Sequence, residues 1–370
     1  MSTSFSTFLH IARIVFSLAK NRDIYWCMSN IHNKKRVLFV CKQRPACYGE
    51  SYGLLNSCRF LCNALNSMGV EAKTVEVLDN NSIDAVVTAY NPTHVFIEAL
   101  WVVPSKFDEL IPLHKQRRWY VRLHSNVPFI ANEGVAIDWI RKYMGLQLRY
   151  KQFNLACNSD RMQNDLYKTY WVNPTYTPNI YRPSEPAPSP IIKPNGVPLL
   201  DIGCFGAIRP LKNQLIQAMA AITFADNLGK ILRFHINYTR VETHGENVYR
   251  NLIALFADSR HQLVTHPWIE HPEFLALVAT MDLGMQVSFS ETFNIVAADF
   301  VYVNIPVIGS TEIEWMDDDY QAKTTDFNNI VKHLMKAWEG RRHDHQRVNK
   351  EGLAKSNRDA KEVWEHLLKF

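Results

Sequence analysis

Short apolar runs alternate with longer amphipathic stretches along most of this chain, and the alternation predicts its architecture. From Lys34, "RVLFVC" is followed by a loop and the helix-like "LLNSCRFLCNALNSMG". After these come "AKTVEV", "IDAVVTAY", "HVFIEALWV", "RWYVRLHS" and "FNLACNS". Continuous apolar strands between helices mean a parallel sheet covered on both faces, since only a strand buried above and below is apolar at successive positions. Eight of the seventeen prolines then fall between Pro174 and Pro198. Proline lacks the amide donor that a helix or central strand requires, so this stretch reads as a linker. The alternation resumes with "PLLDIGCFG", "LIQAMAAITFA", "ILRFHINY" and "VYRNLIALFA" and runs on to "IPVIGS"; "GLAKSNRDAKEVWEHLLKF" reads as a closing helix.

The pattern predicts an α/β protein with two doubly wound Rossmann-like domains facing across a cleft. Its expected divisions are an N-terminal helical extension over 1–33, a first domain over 34–182, a linker over 183–198, a second domain over 199–351 and the closing helix over 352–370. A length of 370 residues suffices for two separate cores. A ligand is expected in the cleft, at the carboxyl ends of both sheets.

Composition narrows the partners. Forty-one Lys and Arg against thirty-six acids leave a net charge of +5. That bias suits a phosphate-bearing ligand and is too small to argue for nucleic acid. The seven cysteines (Cys27, Cys41, Cys47, Cys58, Cys62, Cys157 and Cys204) contain no Cys-x-x-Cys pair and read as reduced thiols of a cytoplasmic protein. Near the start, "FSTFLHIARIVFSLAK" is interrupted by His10 and Arg13, is too short to span a bilayer and lacks the basic start of a signal peptide. Ser6, His10, Arg13, Ser17 and Lys20 recur at steps of four and three, which draws one narrow polar stripe on a helix. Packing on the first domain is one reading of it; peripheral contact with the inner face of a membrane is the other.

The stretch "SFSETFNIVAADFVYVNIPVIGS", Ser288 to Ser310, holds the acids Glu291 and Asp299 in otherwise apolar surroundings. "MQVSFS" reads as a strand and "TFNIVAADFVYV" as a buried helix, with Glu291 at the junction. The amides of Thr292, Phe293, Asn294 and Ile295 then open a helix and form an anion site. At 3.6 residues per turn, a separation of eight puts Asp299 within about 80° of Glu291, so both acids can face one cleft. A buried carboxylate needs donors, and two sugar hydroxyls would satisfy Asp299. Taken alone, the pair also fits a helix-start acid and a core hydrogen-bond partner.

This order of elements resembles the signature of the retaining GT-B glycosyltransferases of the large family four, which use nucleotide sugars. Their pattern is Glu-x7-Glu, with Phe-Gly after the first Glu and Gly-x-Pro-Val after the helix. The resemblance implies that Glu291 and the amides of Phe293, Asn294 and Ile295 meet donor sugar and phosphate, and that Asp299 binds the ribose. "FGAIRPLKNQLIQAMAAI" is similar to the family's Gly-Arg-x4-Lys turn, with Gly206 and Lys212 in place. Ala207 stands at the Arg position, and Arg209 is the candidate to take over the diphosphate. Gly53, with Leu61 and Leu65 after it, resembles the family's glycine loop and first helix, and Gly49 can help that loop bend. His124, ending "RWYVRLHS", matches a strand-end His that meets the donor sugar. "YTPNIYRP" resembles the Pro-Asn segment before the interdomain linker. The likeness covers residues 36 to about 315 and is stronger in the second half.

The departures are Asp299 for the second Glu, Asn294 and Asn304 for glycines, Ala207 for the Arg, and "HINY" where the family has a Gly-x-Gly after a strand. They imply an altered donor pocket. The resemblance implies a UDP- or GDP-linked sugar as co-substrate, no separate cofactor, no metal and transfer to a hydroxyl with retention; the acceptor is not legible. The alternatives are a catalytically degenerate GT-B relative and a DNA-base glucosylating enzyme of similar fold. "MDDDY" reads as a solvated acidic loop, His266 and His271 in "HPWIEH" as flanks of a proline turn, Trp268 as packing, and "EGRRHDHQR" as an exposed basic turn.

Overall fold

The computed structural model describes residues 35–43, 53–191, 193–194, 196–242, 244–340 and 347–369. The predicted N-terminal helix, Gly49, Cys27, Cys47 and most of the basic turn lie outside them.

The first sheet is built from β1 (Arg36–Lys42), β2 (Glu71–Val77), β3 (His94–Glu98), β4 (Arg118–Leu123), β5 (Phe153–Cys157) and β6 (Thr175–Tyr176). These lie in the order β2-β1-β3-β4-β5-β6, and every pairing is parallel. Its helices are α1 (Gly53–Ser67), α2 (Ile83–Tyr90), α3 (Phe107–Leu113), α4 (Val127–Ile130), α5 (Ala136–Arg149) and α6 (Asp160–Tyr170). Side chains alternate across a strand. On β1, Leu38 and Val40 therefore enter one core with Ile97 and Leu110, while Val37, Phe39 and Cys41 enter the opposite one with Leu61 and Leu65.

The second sheet comprises β7 (Leu199–Gly203), β8 (Ile231–Asn237), β9 (Gln262–His266), β10 (Leu283–Gln286), β11 (Val307–Ser310) and β12 (Gln321–Ala322). Its order is β12-β11-β10-β7-β8-β9, again all parallel. Around it lie α7 (Gln214–Asn227), α8 (Gly245–Phe256), α9 (His271–Val278), α10 (Ile295–Val303) and α11 (Phe327–Gly340). The chain leaves β7 toward β8 and β9, then returns to β10 on the other side of β7. That reversal makes a crevice between β7 and β10, the place where doubly wound sheets bind ligands. The helix α10 packs over it because Gly203 and Gly284 have no side chains: a Cβ built on Gly284 would stand 2.7 Å from the Phe300 ring.

No strand or helix interrupts the described residues between Tyr176 and Leu199. The last helix, α12 (Arg347–Leu368), starts in the second domain and ends in the first. Leu353 belongs to the second core, whereas Ala360, Trp364 and Leu368 are buried against Phe39 and Phe96 of the first sheet. Trp364 Nε1 donates to Pro178 O at 2.9 Å. No helix among the described residues is long and apolar enough to cross a membrane. Cys41, Cys58, Cys62, Cys157 and Cys204 are buried and free.

Candidate functional site

Between the sheets lies an open cavity of about 1110 Å³, and residues that follow strand ends line it. Gly53 and Asn56 come after β1, His124 after β4, Asn158 after β5 and Asn179 after β6. From the second domain come Gly206, Arg209 and Lys212 after β7, Arg240 after β8, Trp268 and His271 after β9, and Glu291 to Val296 and Asp299 after β10.

The loop after β7 is shaped to present Lys212. Gly206 has φ +120, which favours glycine, and a Cβ on it would lie 3.7 Å from Lys212 Cε. Lys212 closes the 3₁₀ turn Pro210–Lys212, and Asn213, with φ 58, turns the chain into α7. The Asn213 side chain donates to Val287 O at 3.0 Å and Thr324 O at 2.8 Å. Phe289 N donates to Leu211 O at 2.9 Å. These bonds fasten the loop after β7 to the loop after β10, and Lys212 Nζ lies 2.6 Å from Glu291 Oε1. The two residues predicted to work together are in contact.

The helix begins later than its apolar pattern predicts. It starts at Ile295, so Thr292 and Phe293 are loop residues and Asn294 is the cap. Asn294 Oδ1 accepts from Ala297 N at 2.8 Å, and the amides of Ile295 and Val296 are left at the open end against the cavity. Asn294 and Asn304, which replace glycines of the family, have φ 59 and 68. Asn is the side chain that best tolerates this left-handed region, so the backbone path does not depend on glycine. Phe293 is buried, and its carbonyl accepts from Trp315 Nε1 at 2.6 Å. Glu291 stands four residues before the helix. The 80° estimate therefore does not apply to it, and the loop rather than the helical period brings both acids to one cavity.

Asp299 is buried, and its Oδ1 accepts from Tyr181 Oη at 2.6 Å and His271 Nε2 at 2.8 Å. His271 is thus part of the site, not the inert flank of a turn. Burial pushes the Asp299 carboxyl up, against the pull of His271 and Tyr181. Burial also works against the charge on His271, but the hydrogen bond and charge of Asp299 outweigh it and hold the imidazole above its ordinary value.

Arg209 lines the cavity, but it is not free for a diphosphate. Its Nη1 lies 2.7 Å from Glu242 Oε2, and its guanidinium sits 4.7 Å from the centre of the Phe129 ring across the cleft. Arg240 Nη2 lies 2.5 Å from Glu242 Oε1 and its head covers the Trp268 ring at 5.0 Å. Glu242 resists burial because two arginines flank it, and its carboxyl falls to about 2.

His124 differs from its predicted role. Its Nε2 contacts Glu98 Oε2, and its Nδ1 lies 3.4 Å from Asn158 Nδ2, so protein groups engage both ring nitrogens. Glu98 also takes Arg122 Nη1 at 3.2 Å and stays ionised below the usual carboxylate range: burial raises its pKa, but Arg122 and His124 overcome that. Burial depresses His124, opposed by Glu98. Gly53 borders the cavity at the start of α1, yet a Cβ there meets nothing within 4 Å, so no described contact demands glycine.

The two domains meet on the Glu291–Thr292 segment. Asn126 Nδ2 donates to Glu291 O at 2.7 Å, Asn158 Nδ2 to Thr292 Oγ1 at 3.1 Å, and Thr292 Oγ1 to His124 O at 3.3 Å. Asn126, Asn158, Tyr181, Arg240 and His271 were not predicted. Single polar residues after strand ends give no periodic signal, although Tyr181 falls within the quoted Pro-Asn segment. In "MDDDY", Asp317 Oδ1 accepts from Asp319 N at 3.0 Å, and Asp319 pairs with Lys336 at 2.6 Å.

No protein-family model and no curated protein matches the sequence. Solved structures do match in shape. An apo structure of OtsA aligns at 11% identity and TM-score 0.64, covering 91% of this chain and 99% of that one. HepE from Anabaena, in complex with UDP and glucose, aligns at 12% and 0.59 over 90% and 99%. A UDP-forming α,α-trehalose-phosphate synthase from Burkholderia xenovorans aligns at 10% and 0.61 over 90% and 99%. The chain has the GT-B fold. In GT-B terms, the cavity is the interdomain cleft, with Lys212, Glu291 and the start of α10 on the second-domain wall and His124 and Asn158 on the first.

Proposed function

We propose that the protein is a retaining glycosyltransferase that moves a sugar from a UDP- or GDP-linked donor to an acceptor hydroxyl. The observation that carries this reading is the Lys212–Glu291 contact at the open end of α10, in one cavity with Asp299. Lys212 and the first amides of α10 would hold the diphosphate and stabilise the charge that grows on it as the glycosidic bond breaks. These groups would take the place of a metal, and the donor would be a co-substrate with no further cofactor. Arg209 adds charge to the extent that Glu242 shares it. Asp299, steadied by Tyr181 and His271, keeps Oδ2 for the ribose. HepE, similar in shape, was solved in complex with UDP, which makes UDP sugars the first donors to try.

In the reaction, the acceptor oxygen bonds to the anomeric carbon on the face from which the diphosphate oxygen departs, and the acceptor proton passes to that oxygen. Because both ring nitrogens of His124 are engaged, its role is to position its neighbours. The sugar contact falls to Asn158 Oδ1, which is buried and has no partner in the protein. One observation favours a catalytically degenerate relative instead: Ala207 occupies the family's Arg position and Arg209 is tied to Glu242. Incubation with labelled UDP- and GDP-sugars decides between them. Nucleotide release that Lys212→Ala abolishes supports the enzyme; binding without release supports the degenerate reading; neither binding nor release contradicts both.

A further inference from the structure

A second cavity of about 950 Å³ opens on the first-domain side of the cleft and shares His124, Arg209, Glu291 and Thr292 with the first. We propose that it takes an uncharged, hydroxyl-bearing acceptor with an apolar body, such as a sugar carrying an alkyl aglycone. This rests on the glycosyltransferase reading for the word acceptor, but the class of ligand follows from the cavity itself.

Three observations define that class. The wall is mixed, with an apolar part that carries Leu100, Leu123, Phe129 and Ile130 beside polar groups such as Ser125, Asn126 and Ser290. Burial of apolar ligand surface there is favourable, and a ligand wholly covered with polar groups would lose hydration against it without replacement. The charge on the wall is wrong for an anion. Among the described lining residues Arg209 is the cation, paired at 2.7 Å with Glu242; of the two acids, Glu291 is paired with Lys212 at 2.6 Å and Glu133 has no ion pair among the described residues. Glu133 already titrates above the usual carboxylate range because of burial and the nearby Glu242. A phosphate here would meet the Glu133 carboxylate and no cation that lacks a carboxylate partner.

Asn126 supplies the third observation. It is 2% exposed, and its Oδ1 has no hydrogen-bond partner. The orientation of its amide is fixed, because Nδ2 donates to Glu291 O at 2.7 Å. Asn126 lines the cavity, and its buried Oδ1 is an acceptor that only a donor satisfies. A hydroxyl donates; a phosphate oxygen does not. The bond would hold an acceptor hydroxyl beside the segment of Glu291, where the donor sugar is expected.

The test uses nucleotide-free protein and two probes, octyl β-D-glucoside below its micellar concentration and glucose 6-phosphate, followed by calorimetry. The glucoside should bind. Phe129→Ser, which removes part of the apolar wall, and Asn126→Ala, which removes the buried acceptor, should each weaken it about tenfold or more. Glucose 6-phosphate should bind at least tenfold more weakly than the glucoside. Tighter binding of the phosphate, binding of neither probe, or equal glucoside affinity in wild type and both variants overturns the proposal. A parallel titration with UDP keeps the readings apart: loss of UDP binding alone counts against the donor site, and the glucoside arm is decided without it.

Discussion

Lys212 and Glu291 meet because Asn213 clamps one loop to the other, and the charges at this point are nearly balanced. Lys212 faces Glu291, and Arg209 and Arg240 share Glu242. Three cations against two carboxylates leave one positive charge, and the open end of α10 adds to it. Asn294 and Asn304 make a sharp test of the backbone there. Asn304→Gly should change stability by less than about 0.5 kcal/mol, because glycine also accepts its left-handed conformation. Asn294→Val should cost about 2–3 kcal/mol, combining the lost cap with a β-branched residue at positive φ. Urea unfolding measures both. His271 gives a pH signature. Its pKa is raised in the folded state, so its contribution is complete below about 6.5 and is lost as pH rises through the higher folded value. Wild type should therefore lose melting temperature relative to His271→Gln between about pH 6 and pH 9. Parallel curves for the two proteins would show that the pair with Asp299 does not titrate in that range.

At the scale of elements, the apolar runs revealed both sheets because parallel strands are buried on two faces and leave no polar alternation. Helix α10 was visible for the same reason: its sequence is apolar apart from Asp299. Its start was misplaced because Thr292 and Phe293 continue the apolar texture, while the feature that ends the loop is a left-handed Asn, which no periodicity marks. The site was legible where chemistry sits in a run of neighbours, as in Glu291 to Asp299, and illegible where single residues converge from separate strand ends, as with Asn126, Asn158 and His271. The closing helix was expected, but its seat was not. Trp364 fills the core of the first domain from the far end of the chain, set edge-on to Phe39 and tilted against Phe96. Trp364→Ala should cost about 3–5 kcal/mol. Thermal unfolding followed by circular dichroism should show a lower midpoint, and an unchanged midpoint would mean that α12 does not secure the first domain.

The whole molecule is two parallel six-stranded sheets of different strand order, joined by a proline-rich stretch of chain and by α12, with hydrogen bonds from Asn126, Asn158 and Thr292 across the cleft. Everything proposed for the cleft depends on one physical claim: Lys212 and the open end of α10 hold a diphosphate. The direct measurement is a calorimetric titration of UDP, GDP and uridine into wild type and Lys212→Ala. One of the diphosphates should bind the wild type, uridine should bind far more weakly, and the variant should lose affinity by about 10- to 100-fold, the usual effect of removing a charged hydrogen-bond donor. Binding of neither diphosphate, or the same affinity in both proteins, would contradict the account.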